Sequence, residues 1–176
     1  MYNLCSSQLR VFEHRKLDLL YFIHFSSALP LMLLVDLQVI YPPIIVPAFM
    51  IDLKAFYVET FDDRFFRTPP PFFQLFVWLE ILYQAPVIAW SLGGLYRNSS
   101  KVPLVLLPYA LVVFLTTLTC IVEYSFWDTL LYQKICLTAL YGPYLALSAL
   151  MASDMYLRLD KMINTKDTLR KKSRLE

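Results

Sequence analysis

The sequence predicts an all-α polytopic membrane protein: a four-helix transmembrane bundle with a lumenal amphipathic segment between spans one and two. Three observations predict it. Hydrophobic residues make up 58% of the 176 residues and charged residues only 17%. The mean hydropathy is +0.52. Four apolar tracts, Leu17 to Ile40, Pro71 to Leu95, Val102 to Phe126 and Leu130 to Ala152, each reach the roughly 20 residues a helix needs to cross a bilayer. The tracts fill the chain, without repeats or low-complexity linkers. The expected organisation is one four-span domain over 1–160 and a basic cytosolic tail over 161–176.

The first tract is longer than a signal-peptide core and no small-x-small pattern follows it, so it reads as a permanent span. Cys5, Cys120 and Cys136 are odd in number and scattered. They suggest packing residues, not a disulfide framework or a metal site, and no cofactor is implied.

Orientation follows from the basic residues, because short cytoplasmic segments are enriched in Lys and Arg. Arg10, Arg15 and Lys16 precede span one, and Arg97 and Lys101 separate spans two and three. Arg158, Lys161, Lys166, Arg170, Lys171, Lys172 and Arg174 follow span four. The other side carries Lys54, Arg64, Arg67 and Lys134, largely offset by Asp52, Glu59, Asp62 and Asp63. Both termini are therefore expected in the cytosol. Asn98-Ser99-Ser100 forms a glycosylation sequon on that side, so a glycan on Asn98 in cells would invert the assignment.

The long connection between spans one and two begins Tyr41-Pro42-Pro43 and ends Thr68-Pro69-Pro70-Pro71. Within it Leu53, Tyr57, Phe61 and Phe65 recur every four residues among Asp52, Glu59, Asp62 and Asp63, the pattern of an amphipathic helix. Two readings stand: an interfacial lid over the lumenal end of the bundle, or a docking surface for another protein.

Inside the spans the informative residues are two acids, each followed by a glutamine: Asp36-Leu37-Gln38 and Glu80-Ile81-Leu82-Tyr83-Gln84. An acid in a span costs roughly a few kcal/mol and so normally faces a protein interior or a cavity. With about 1.5 Å of rise per residue, Asp36 lies one turn inside the lumenal boundary and Glu80 two to three turns. Thr116, Thr117, Thr119 and Glu123 on span three, and Tyr141 and Tyr144 on span four, belong to the same half. Glu80 and Gln84 share a helix face just before Pro86, whose missing N–H can loosen that turn. Asp36 and Gln38 do not share a face unless the last turn deforms, so Gln38 is free to serve the lid. In a dry pocket two carboxyls share a proton. A neutral Glu80 donating to an ionised Asp36, walled by Tyr141, Tyr144, Phe76 and Trp78, suits a lipophilic cation. An acid pair that only ties helices together is the competing reading.

At these residues the chain resembles a known family. Asp36-Leu37-Gln38, Glu80-Ile81-Leu82-Tyr83-Gln84-Ala85-Pro86 and Tyr141-Gly142-Pro143-Tyr144-Leu145 are similar to motifs of the sigma-2 receptor family, within the EXPERA-domain group that includes emopamil-binding sterol isomerase. The likeness covers nearly the whole chain. It implies a homodimeric, four-span endoplasmic-reticulum protein with cytosolic termini, found also at the nuclear envelope or late endocytic membranes. It also implies a membrane-facing pocket for sterols, oxysterols and lipophilic amines. The resemblance makes Asp36 the residue that meets the ligand amine and Glu80 its protonated partner, and places Gln84, Thr117, Tyr141 and Tyr144 on the pocket wall. It further implies a role in sterol homeostasis or lipid trafficking, with a sterol transporter as a partner in animals. No nucleic-acid partner is implied.

The resemblance has departures. The family's histidine two residues before the proline of span one is Ala28 here, and His24 lies one turn further from Asp36. His24 reads as a helix contact or a proton carrier. An isomerase needs an acid, a base and aromatic faces for a carbocation, which Asp36, Glu80 and Glu123 could serve. The related isomerase, however, has a histidine where this chain has Phe76, and Glu123 reads equally as an interfacial acid, so the expectation is a binding protein and not an enzyme. A third reading is a partner in membrane-protein quality control or trafficking regulated by a bound lipid. The tail from Arg158 to Glu176 reads as a helix end at an anionic lipid surface.

Overall fold

The computed structural model describes residues 15–42, 44 and 46–172, with residues 167 and 169–172 as backbone only. Cys5, Arg10, Pro43, Arg174 and Glu176, and the side chains of Arg170, Lys171 and Lys172, lie outside the described residues. Among the described residues every regular element is helical. We number them α1 Lys16–Leu34, α2 Ala48–Phe61, α3 Arg64–Arg67, α4 Pro71–Tyr96, α5 Val102–Ser125 and α6 Leu131–Lys172. Four of them, α1, α4, α5 and α6, are long and apolar enough to cross a membrane.

Each of these four carries a proline in its interior or at an internal turn: Pro30, Pro86, Pro108 and Pro143. Proline removes one ladder donor and is tolerated in a membrane helix where neighbours re-satisfy the backbone. The effect is largest in α4. Pro86 has no N–H for Leu82, and the preceding amide of Ala85 bonds to the Glu80 carbonyl five residues back. Residues Glu80–Gln84 thus form a π-turn between two α-helical halves.

Helix α1 also ends by a local device. At Val35 the ladder gives way to a 3₁₀ turn over Asp36–Val39. The Gln38 side-chain amide donates to the Leu34 carbonyl and, at 2.7 Å, to the Met50 carbonyl of α2. Gln38 therefore fastens the end of span one to the connection that follows, which is the lid role its position suggested.

Helix α2 is shorter than the four-residue recurrence predicts. It stops at Phe61, because Asp62 takes a left-handed conformation with φ 49°, one that Asp tolerates better than most residues. Asp63 then caps α3 by accepting from the Phe65 amide at 2.9 Å. Phe65 thus sits on a separate helix, stacked against Phe73 of α4 with centroids 4.9 Å apart. Gln133 donates to Asp62 at 3.0 Å, and the Arg64 guanidinium donates to the Asp128 carbonyl at 3.0 Å. These contacts hold the connection over the bundle between α4 and the start of α6.

The most extensive helix contact is between α5 and α6, and α1 packs on the second half of α4. Tyr21, Phe25, Ile88, Leu95, Leu106, Tyr109, Leu137, Met151 and Met155 are buried between them. At the cytosol-side end predicted for the bundle, Asp18 is 1% exposed and lies between two arginines. Arg15 pairs with it from the preceding turn and Arg158 approaches to 2.6 Å from α6. Arg158 also pairs with Asp154 at 2.8 Å, Tyr21 donates to Asp154 at 3.1 Å, and Arg15 reaches the Leu95 carbonyl of α4. Arg158 is therefore a helix clamp and not part of a lipid-facing tail, because two acids absent from the charge argument neutralise it. Helix α6 runs unbroken past Ala152 and past residue 160 to Lys172, 42 residues in all.

Candidate functional site

All four long helices and α2 contribute to one cavity of about 370 Å³. From α1 come His24, Ala28, Leu31, Met32, Val35 and, just beyond its end, Asp36. Helix α4 supplies Phe73, Phe76, Glu80, Gln84 and Ile88; α5 supplies Tyr109, Val113, Thr116, Thr117 and Cys120; α6 supplies Leu140, Tyr141 and Tyr144. Tyr57 and Phe61 of α2 and Phe66 of α3 close the end nearest the long connection.

The six residues singled out from the sequence, Asp36, Glu80, Gln84, Thr117, Tyr141 and Tyr144, all face this one cavity. Phe76 joins them. Trp78 does not: two residues along the helix from Phe76 it points to the opposite side, is 50% exposed and belongs to the outer surface of α4. Glu123 is exposed and outside the cavity. His24, read from sequence as a helix contact or a proton carrier, is on the cavity wall, with its ring edge-on to Tyr144 at 5.5 Å.

The π-turn has a direct consequence for the site. It adds a residue to one turn of α4, so that Phe76, Glu80, Gln84 and Ile88, each four residues apart, all stay on the cavity face instead of drifting around the helix. Gln84 is 5% exposed. The 3₁₀ turn does the same for Asp36, moving it out of the α-helical phase of α1.

Asp36 and Glu80 are near enough for their charges to interact. Among the described residues no direct hydrogen bond joins them, and none of the ion pairs involves either acid. Glu80 Oε2 is fully buried with no hydrogen-bond partner. A buried, unpaired carboxyl oxygen is costly, commonly about 1–3 kcal/mol, and Glu80 carries that cost beside Asp36 with no donor among the described residues.

A third acid, Asp63, was missed from the sequence. Its side chain is wholly buried, and one oxygen accepts from Tyr141 at 2.9 Å and Tyr57 at 3.0 Å. Burial pushes its carboxyl above the ordinary carboxylate range, against the opposing pull of the Tyr141, Phe65 and Tyr57 hydrogen bonds. Burial and the adjoining Asp63 likewise raise the Tyr57 hydroxyl. Asp63 is thus a satisfied hub that positions Tyr141, whereas Asp36 and Glu80 are unsatisfied. The available signal was its place two residues before Phe65 at a helix start, the position of an N-cap.

The arrangement is an apolar cavity with aromatic walls, acids with no counter-cation among the described residues, and a few further polar groups. Such a site binds an apolar body with a cationic or hydrogen-donating end.

Comparison with known proteins agrees with this architecture. Residues 49–155 match the EXPERA (EXPanded EBP superfamily) family. The chain is 30% identical to Sigma intracellular receptor 2 of Xenopus tropicalis over 151 residues, 80% of this chain and 88% of the relative. It is 24% identical to Sigma intracellular receptor 2 of Homo sapiens over 138 residues, covering 70% and 77% of the two chains. It is also 30% identical to Efficient mitochondria targeting-associated protein 19 of Schizosaccharomyces pombe over 148 residues, covering 82% and 78%. With four membrane-length helices and a family match across most of its length, the chain is a multi-pass membrane protein that belongs to the EXPERA family.

Proposed function

We propose that this protein is an endoplasmic-reticulum membrane receptor that binds sterols, oxysterols and lipophilic amines and serves sterol homeostasis or intracellular lipid trafficking, with both termini in the cytosol. The observation that carries the reading is the unpartnered Glu80 Oε2 beside Asp36 in an apolar cavity free of Lys or Arg pairing. A ligand ammonium docks on Asp36, Glu80 stands beside it as a neutral acid, and Tyr144 and Phe76 cover the apolar body. Gln84 and Thr117 offer neutral hydrogen bonds to a hydroxyl. Tyr141 is held in place by Asp63 and shapes the wall.

The reading is of binding and not of sterol isomerisation. Phe76, edge-on to Phe72 at 5.6 Å, puts a hydrocarbon ring on the wall where double-bond migration needs a further proton-transferring group. The test is direct binding of a lipophilic amine to purified protein, together with an assay for sterol double-bond migration. Asp36→Asn is expected to abolish high-affinity binding with the fold intact, and the wild type to show no turnover. Undiminished binding by Asp36→Asn would sink the site assignment, and turnover would sink the non-catalytic reading.

A further inference from the structure

We infer that the cavity carries a second polar subsite, formed by His24 and Tyr109, that takes a hydroxyl at the far end of an elongated amphiphile. The assignment deepens the binding function proposed above and rests on it for the near end of the ligand.

The pattern along the helices carries the inference. On the cavity face of α1 the order is His24, then Ala28, Leu31, Met32 and Val35, then Asp36: polar, apolar, polar. Twelve residues separate the two polar positions, about 18 Å of helical rise. On α5 the order repeats, with Tyr109 at one end, Val113 between, and Thr116 and Thr117 at the other.

His24 and Tyr109 lie at one level. The Tyr109 ring is edge-on to Phe25, the residue next to His24, at 5.4 Å, and is 4% exposed. His24 packs edge-on against Tyr144 across the lumen from α6. Among the described residues neither the imidazole nitrogens nor the Tyr109 hydroxyl has a hydrogen-bond partner. Buried polar groups in folded proteins are almost always paired. Here a buried tyrosine and a half-buried histidine border the same cavity unpaired, beside Ala28, whose small side chain leaves room for a guest.

The chemistry selects a neutral group. A hydroxyl can donate to the imidazole nitrogen and accept from Tyr109, whereas an ammonium has no lone pair with which to accept from Tyr109. The ligand class is a rigid, flat or rod-like apolar body with a cationic or hydroxyl group at the Asp36 end and a second hydroxyl at the opposite end. Helix rise and the apolar stretch between the two polar groups make this one ligand spanning the cavity.

The test uses a matched pair of probes: a lipophilic amine, and the same amine carrying a hydroxyl at the distal end of its apolar body. His24→Phe and Tyr109→Phe keep the ring packing and remove only the polar atoms, and melting curves check the fold of each full-length variant. Either variant should lose roughly tenfold in affinity for the hydroxylated amine, the value of a hydrogen bond or slightly more, and change the parent amine by less than about twofold. Equal loss for both probes would make His24 and Tyr109 packing residues and overturn the subsite. No loss for either probe would overturn it as well, leaving the acidic end standing. The acidic end is judged separately by Asp36→Asn with the parent amine, where full retained affinity would overturn that reading.

Discussion

Arg158 and Asp18, 140 residues apart in the chain, meet at 2.6 Å and join the last membrane helix to the first. The same guanidinium holds Asp154 at 2.8 Å, so one side chain neutralises two acids at the end of the bundle remote from the acidic cluster.

Removing Arg158 leaves Asp18 with Arg15 alone and Asp154 with only the Tyr21 hydroxyl. Breaking a buried pair by deleting one partner commonly costs about 3–5 kcal/mol, and the partial exposure of Arg158 brings the expected loss for Arg158→Ala to about 2–3 kcal/mol. A thermal melt of the detergent-solubilised protein measures it. Asp18→Asn combined with Arg158→Met should lose less than the sum of the single changes; strict additivity would show that the pair does not act as a unit.

Asp63 offers a test of the hub in the long connection. Asparagine can still cap the Phe65 amide but cannot accept from both Tyr57 and Tyr141, so Asp63→Asn should cost about 1–3 kcal/mol. The pH dependence has a definite sign. The folded carboxyl titrates above its unfolded value, so in that window the native state holds a proton that the unfolded chain has released. Stability contributed by the protonated group is then lost as pH rises from about 4 through the folded value. Melting temperatures across mildly acidic pH should show this downward slope in the wild type and its loss in Asp63→Asn. An unchanged slope would exclude Asp63 as the source.

The π-turn makes a third prediction. Pro86→Ala restores a donor for the Leu82 carbonyl and allows α4 to relax toward a regular helix, which gains stability where proline broke the ladder. Relaxation rotates the half of α4 that carries Phe76 and Glu80 relative to the half that carries Ile88, so amine affinity should fall at least tenfold while the melting temperature holds or rises. Retained affinity would mean that the placement of Glu80 does not depend on the π-turn.

Much of the fold was legible because a bilayer imposes length and composition on each span, and the four tracts match the helices to within a residue or two except at the ends of α1, where a 3₁₀ turn takes over after Leu34, and of α6. The convergence of Asp36, Glu80, Thr117, Tyr141 and Tyr144 on one layer was legible too, since helix rise turns residue number into depth. Phase was harder to read. Trp78 and Phe76 have similar depth, and which one faces inward depends on how α4 rotates against its neighbours. Asp63 reads from sequence as one acid of the amphipathic connection, and Asp18 carries no signal of its own; both are buried against partners 78 and 140 residues away.

The sequence by itself determined the membrane class, the four spans, the family likeness and the depth of each acid, because these depend on local composition and on a constant rise per residue. Only the tertiary structure decided which polar groups are satisfied and which are left open: Asp63 and Asp18 closed by long-range partners, Glu80 and His24 left facing the cavity. That distinction rests on the three-dimensional pairing of side chains, which local pattern does not encode, and it separates the residues that hold the bundle from those with capacity to bind.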